Sequence, residues 1–440
     1  MNISKGFKKY FFNTSWLLFE RVFIQVIVIL VGIIVTRYQG PMRFGLLSYA
    51  TSYIGLFMAI ASLGLDSIVV QMIVREPENT NTIIGTSFLL KLLGSIITII
   101  TIGLTLVFSN EDTQSKVLIA VVSLSYVFQA LSVIEFHFTA KVTSKYYVYA
   151  RSTQTVVSSC IRIVFVLFRA SLIWFAWLVV FDALFLGFTG ILIYHRTGYS
   201  IWRWKFSTFY AKNLLKQSWP LILSTIAVGI YMKIDQVMIK SMMDASAVGF
   251  YAAAVRISEG WYFVPAIITA SLFPAIVKVK TSGKRLYNES LLALYSVLTW
   301  LFIFLCIPIA FFSNQLVILL LGKSFAPAGP VLQIHIWNAY FVFLGVASGR
   351  WLLVESLQII DLLRAVLGAI VNVCLNLFLI PNYGIQGAAV ATLIAQFTSS
   401  FLVFAFFAKG RDNLWRMIRA IIPQRTIIRQ LVATMGQKDL

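Results

Sequence analysis

The chain is poor in the side chains that most chemistry uses. Of 440 residues, 12% are charged, three are histidine and three are cysteine. An ordinary soluble protein is about a quarter charged. His137, His195 and His335 are far apart and share no ligand spacing, so they do not form a metal set. Cys160, Cys306 and Cys374 each sit inside an apolar stretch and read as small buried hydrophobes rather than a disulfide framework. No His-Glu-x-x-His, Gly-x-Ser-x-Gly or Cys-x-x-Cys pattern occurs. Gly322-Lys323-Ser324 resembles the end of a phosphate-binding loop, but Val317 stands where that loop needs its first glycine. These absences leave neither an ATPase nor a metalloenzyme, and no cofactor is expected.

What is present is hydrophobic mass, 59% of the chain. No globule has interior enough for that much apolar surface, and single soluble cores stop growing at about 250–300 residues. The apolar residues fall in stretches of roughly 20, the length of a bilayer-spanning helix. The expectation is an all-α polytopic membrane protein of about twelve spans. They are 16–36, 44–65, 84–108, 117–136, 152–168 and 174–194, then 219–239, 248–277, 291–312, 331–354, 363–380 and 385–407. No Ala-x-Ala-like site follows the first stretch, so it is expected to stay as a helix.

Lysine and arginine set the orientation. With the N-terminus cytoplasmic, 24 of the 36 fall in the tails and connections of that side, 6 in the opposite connections and 6 within spans. The positive-inside rule therefore puts both termini in the cytoplasm. It also accounts for the net charge of +20 without a nucleic-acid partner. The outer connections are short, which leaves no room for an external catalytic domain.

The halves resemble each other. Trp16 precedes Gly45 by 29 residues, and Trp219 precedes Gly249 by 30, at the same span pair of each six-span half. The expected organisation is an N-terminal lobe (1–217) ending in a basic linker, a C-terminal lobe (218–410) and a basic interfacial tail (411–440). Repeats of even span number share one orientation, and such folds bind substrate between the halves. The stretches 5–12, 202–219 and 411–432 are basic and aromatic, and read as segments gripping anionic lipid headgroups.

Charges inside spans are the informative minority, because each costs about 2.5–3.5 kcal/mol at the bilayer centre on insertion scales. The candidate substrate-binding set is Arg21, Lys91, Arg162, Lys233, Asp235, Arg256 and Glu259. Asp182 can pair with Lys91 or Arg162 across helices. Arg256 and Glu259, three apart, can pair on one helix. Each charge reads equally well as a structural pair or as cavity lining. Taken together, the cation excess favours an anionic substrate modestly.

Several motifs carry a family resemblance. They are Arg37-Tyr-Gln-Gly-Pro-Met-Arg-Phe-Gly45, Leu63-Gly64-Leu65, Ile234-Asp235-Gln-Val-Met-Ile239 and Val248-Gly249-Phe-Tyr-Ala-Ala-Ala-Val-Arg256, then Leu321-Gly322-Lys-Ser-Phe325 and Asn376-Leu-Phe-Leu-Ile-Pro381-Asn-Tyr-Gly384-Ile-Gln-Gly387. In this order they resemble the Wzx-type O-antigen flippases, polysaccharide transporters in the superfamily of MATE antiporters and lipid II flippases. The resemblance implies two six-helix lobes forming a V around a charged central cavity. It implies an inner-membrane flippase, not an enzyme, that moves an undecaprenyl-pyrophosphate-linked oligosaccharide to the outer leaflet by alternating access, beside the polymerase and chain-length proteins of its pathway. Arg256 stands in the Tyr-Ala-x-x-Arg-like context of the lipid II flippases' eighth-span arginine, and Arg21 at their first-span arginine. The chain lacks those flippases' two extra C-terminal spans, and Glu20 lies too near the start of its span for the carboxylate that a MATE cation antiporter uses. Short outer loops oppose a glycosyltransferase or polymerase. The coupling ion, proton or sodium, and the sugars are not specified by these motifs.

Overall fold

The computed structural model describes residues 5–280 and 283–422, with side chains from residue 23 onward except at 274, 275, 278 and 358. Among them there are helices and turns and no strand. The first ten helices are α1 (Lys5–Gly55), α2 (Met58–Ser62), α3 (Asp66–Arg75), α4 (Thr80–Phe108), α5 (Thr113–Ser123), α6 (Ser125–Gln129), α7 (Val133–Ala140), α8 (Lys145–Leu167), α9 (Leu172–Arg196) and α10 (Thr208–Met242). There follow α11 (Ala245–Glu259), α12 (Phe263–Val279), α13 (Lys284–Phe311), α14 (Ser313–Leu321), α15 (Ala328–His335), α16 (Asn338–Val354), α17 (Gln358–Ser400) and α18 (Ala408–Arg419).

Two of the longest helices are broken. Within α1 the backbone at Gly40 turns to φ 66°, ψ 175°, and within α17 Gly384 takes φ 58°, ψ −141°. Glycine alone occupies that region cheaply, and Pro41, which lacks an N–H, restarts the first of them. Nine helical stretches among the described residues are long and apolar enough to cross a membrane. The difference from twelve has visible causes. Two of the nine contain these breaks and so each join two expected spans, α8 carries Lys145, Arg151 and Arg162, and a turn at 260–262 interrupts α11 and α12, while Met58–Arg75 adds a stretch beyond the expected second span, 44–65.

Helix α4 shows why this chain belongs in lipid. Leu93, Ile97, Ile100 and Leu104 lie on one stripe and are 55–56% exposed, whereas Ser95 and Thr98 on the opposite face are buried. The Ser95 hydroxyl donates to the Lys91 carbonyl at 2.8 Å or the Tyr126 carbonyl at 2.9 Å. A water-soluble helix has the reverse pattern. Small polar residues at the helix contacts with apolar residues outward is the membrane arrangement. The same logic corrects the cysteines: Cys306 is buried, but Cys160 and Cys374 face outward from their apolar helices.

The described residues form two compact units, 5–240 with 244–249, and 241–243 with 250–422. Helix α10 through Lys240 belongs to the first. One core of that unit is built on Leu65, Val69, Ile83, Ile84, Val133 and Leu214. In the second unit Leu291, Leu294 and Leu298 of α13 and Phe343 and Leu344 of α16 are fully buried. A Cβ on Gly345 would lie 3.0 Å from Ser400 Oγ and one on Gly349 3.1 Å from an Arg364 guanidinium nitrogen, tighter than ordinary contact, so glycine lets these neighbours approach α16.

Candidate functional site

The intramembrane charges are placed by helices that the apolar pattern forms on its own, so what distinguishes them is their partners. Lys91 of α4 is buried. Its ammonium lies 3.1 Å from Asp66 Oδ1 and 2.8 Å from Ser132 Oγ, and 4.8 Å above the Phe136 ring. Asp66 opens α3 one residue after the left-handed Leu63–Gly64 pair, with Leu65 between. The sequence reading missed it; the signal was an acid at a helix start after a glycine. Asp182 instead takes Arg162, whose Nη2 donates to Asp182 Oδ2 at 2.7 Å while Nε donates to Ser158 at 3.2 Å. Asp182 Oδ1 is buried without a hydrogen-bond partner among the described residues. This pair is part-exposed and spans α8 and α9.

Lys233 of α10 is half-buried, and its stem lies against Gly55, where a Cβ would sit 3.3 Å from Lys233 Cγ. Among the described residues no carboxylate lies within ion-pair distance of Lys233. Asp235, two residues on, is 3% exposed, so the two do occupy different faces as their spacing requires. Arg256 of α11 is exposed and Glu259 half-buried, and both lie in the second unit. The side chain of Arg21 lies outside the described residues. The structure thus brings Lys91 to Asp66 and Arg162 to Asp182. Among the described residues no group of three or more His, Cys, Asp or Glu is placed to hold a metal ion.

Three further charge clusters were not legible as sites. Arg151 Nη2 donates to both carboxylate oxygens of Glu135, Oε2 at 2.8 Å and Oε1 at 2.9 Å. At the start of α5, Lys240 lies 3.4 Å from Asp112 and 3.8 Å from Glu111, and Tyr49 donates to Glu111 at 2.8 Å. Partial burial pushes the Asp112 carboxyl up, but the Ser115 N–H and hydroxyl with the Lys240 ammonium outweigh it and hold it below the usual range. In the second unit Glu355 takes Lys280 at 2.8 Å and Lys409 at 3.7 Å. Burial again pushes the carboxyl up, and the Lys280 contact, Lys409 and the Tyr287 hydroxyl bring it below its ordinary value. All these are opposite-charge pairs on neighbouring elements, invisible to spacing along one helix.

The polysaccharide biosynthesis protein family model matches residues 11–280, more than half of the chain. The chain belongs to that family. It is 26% identical over 209 residues to the probable low-salt glycan biosynthesis flippase Agl15 of Haloferax volcanii, covering 44% of each chain. The match spans less than half the length of the curated relatives. The fold is that of the lipid II flippase MurJ in an inward closed conformation, with a TM-score of 0.67 at 14% identity over 94% of this chain and 91% of that one. An inward-facing multidrug resistance MATE family transporter of the MOP superfamily aligns with a TM-score of 0.65 at 14% identity, covering 94% and 96%. A multi-pass membrane protein of the MurJ and MATE fold follows.

Proposed function

We propose that this protein is a transporter that flips a lipid-linked oligosaccharide across the cytoplasmic membrane, not an enzyme. The observation that carries the reading is the family match over residues 11–280 in a chain whose fold the lipid II flippase shares. The similarity to a probable glycan biosynthesis flippase points the same way. The finer reading is an undecaprenyl-pyrophosphate-linked repeat unit of a surface polysaccharide such as O-antigen, moved by alternating access from the inner to the outer leaflet. In that reading the lobes divide near residue 217, both termini are cytoplasmic, and Arg21, Lys91, Arg162, Lys233, Asp235, Arg256 and Glu259 serve the substrate path.

Physical chemistry supports an arginine at the centre of it. A pyrophosphate diester carries about two negative charges, and guanidinium binds phosphate oxygens bidentately, which an ammonium does not. A pair such as Arg162–Asp182 tempers the cation, so that the headgroup is held on one side and released on the other.

The test is loss and rescue. Deleting the gene should abolish one surface polysaccharide and leave lipid-linked units in the inner leaflet, and the intact gene should restore export in a flippase-null strain. Units that appear outside but unpolymerised would identify a polymerase and overturn the reading. Export of a cationic drug with normal polysaccharide would favour the MATE-like antiporter.

A further inference from the structure

A cavity of ≈650 Å³ lies in the first unit at the ends of α7, α8 and α9. Its wall is Lys141 and Thr143 after α7, Tyr146 and Tyr149 in the opening turns of α8, and Arg196 and Tyr199 at the close of α9, with Phe138, Ile193 and Thr197 completing it. Volumes of roughly 300–1,000 Å³ are those of small-molecule sites. The lining holds two cations and no carboxylate. Among the described residues neither Lys141 nor Arg196 has an ion-pair partner, although Glu135 nearby in sequence is taken by Arg151.

Aromatic rings lie under Lys141 of the lining and under the neighbouring Lys145. Lys141 Nζ lies 5.4 Å from the centroid of Tyr199, and Lys145 Nζ lies 5.1 Å from that of Tyr146. Tyr199 is in turn fixed from below, stacked on Tyr194 at 5.3 Å and edge-on to the buried His137 at 4.2 Å. The Thr143 and Thr197 hydroxyls donate to backbone carbonyls, at 3.4 Å to Phe138 and 2.9 Å to Tyr194. The Tyr146 and Tyr199 hydroxyls have no hydrogen-bond partner among the described residues. Two cations and two phenol donors over an aromatic wall are the chemistry for a singly charged phosphodiester attached to something apolar. Basic pockets between helix ends with tyrosines at the same depth are where lipid headgroups bind.

We propose that this cavity binds the phosphate of an anionic amphiphile, a glycerophospholipid headgroup, through Lys141 and Arg196 with the Tyr146 and Tyr199 hydroxyls. The site is independent of the transport reading, because it requires only that these helix ends lie at a membrane surface. The expected connection side is the cytoplasmic one, where anionic lipid is concentrated.

The full-length protein in detergent, titrated with phosphatidylglycerol or phosphatidylcholine and read by native mass spectrometry, tests it. Phosphatidylglycerol should be retained over phosphatidylcholine by about tenfold, and the Lys141→Ala/Arg196→Ala double variant should remove about tenfold of that retention. The exposed pair Arg75→Ala/Lys284→Ala, outside the basic aromatic stretches, removes the same charge elsewhere and should leave it within about twofold. Tyr146→Phe/Tyr199→Phe keeps the packing and should weaken retention partially, which guards against a misfolded alanine variant. A parallel titration with glycerol phosphate separates the sources. Binding of the lipid alone assigns the headgroup, whereas saturable binding of glycerol phosphate with the same dependence on Lys141 and Arg196 assigns a soluble phosphate ester. Equal retention of the two lipids, or full retention by the Lys141→Ala/Arg196→Ala variant, overturns the site.

Discussion

Gly45 and Gly249 occupy reciprocal places in one helix crossing. A Cβ on Gly45 would overlap the carbonyl oxygen of Ala245, and a Cβ on Gly249 would overlap that of Pro41. Each glycine therefore meets the residue four positions before the other, the symmetric contact expected of two copies of a Trp-to-Gly repeat. Backbone is the obstacle on both sides, so no side chain can rotate away.

Overpacking alone costs about 1–3 kcal/mol, and a backbone obstacle belongs at the upper end. Gly45→Val and Gly249→Val are each expected to lose more than half of the folded, monodisperse protein in a fluorescent-fusion gel filtration assay. Gly103→Ala, with nothing within 4 Å, is the neutral comparison. Wild-type yield from either valine variant would show that the crossing is looser than described.

Arg162→Ala leaves the Asp182 carboxylate part-buried without its 2.7 Å partner. Breaking a buried pair from one side is costlier than removing both charges. Membrane abundance should fall in Arg162→Ala and recover in the Arg162→Ala/Asp182→Ala variant. If polysaccharide export stays absent while abundance recovers, Arg162 acts on the substrate as well as on Asp182. Recovery of both would restrict the pair to holding α8 against α9.

Arg256 is the exposed cation of α11 in the family-like Tyr251–Arg256 segment. Arg256→Ala should abolish export at normal membrane abundance, and Arg256→Lys should retain part of it, since bidentate phosphate contacts distinguish the two cations. Glu259→Gln should lower export less than Arg256→Ala does, at normal abundance. Equal damage from Glu259→Gln, accompanied by reduced abundance of Arg256→Ala, would make the residue structural.

Topology is open to direct reporter fusions. Those after Lys212 and Lys284 are expected to report the cytoplasm, and one after Lys323 the exterior. An external signal at Lys212 breaks the twelve-span arrangement.

Acid should weaken the fold through two carboxyls. Asp112 and Glu355 are both held below their ordinary values, so each binds a proton more weakly folded than unfolded. Their stabilisation is complete above the unfolded pKa of about 4 and disappears as pH falls through the depressed folded value. The melting temperature in detergent should drop as pH falls from about 5 to below about 3.5, and Asp112→Asn/Glu355→Gln should flatten that drop. An unchanged slope in the double variant would remove these carboxyls as its cause.

The class, an all-helical membrane protein, was determined by the sequence alone, because bilayer thickness dictates about 20 apolar residues per crossing whatever the packing, whereas twelve spans were expected and nine such stretches are found among the described residues. Motif order likewise carried the family resemblance, and Arg37–Gly45 and Val248–Arg256 are local strings. Helix breaks were half legible: Gly40 precedes a proline, but Gly384 lies three residues after Pro381, and only backbone geometry shows which residue turns. The partners were not legible at all. Lys91 meets Asp66 rather than Asp182, at a sequence distance of 25, and Lys240 meets Asp112 at 128. A period of 3.6 residues orders side chains on one helix and says nothing about which helix comes alongside. That choice belongs to packing: small residues such as Gly45, Gly94 and Gly249 admit a neighbouring backbone where a larger side chain would exclude it.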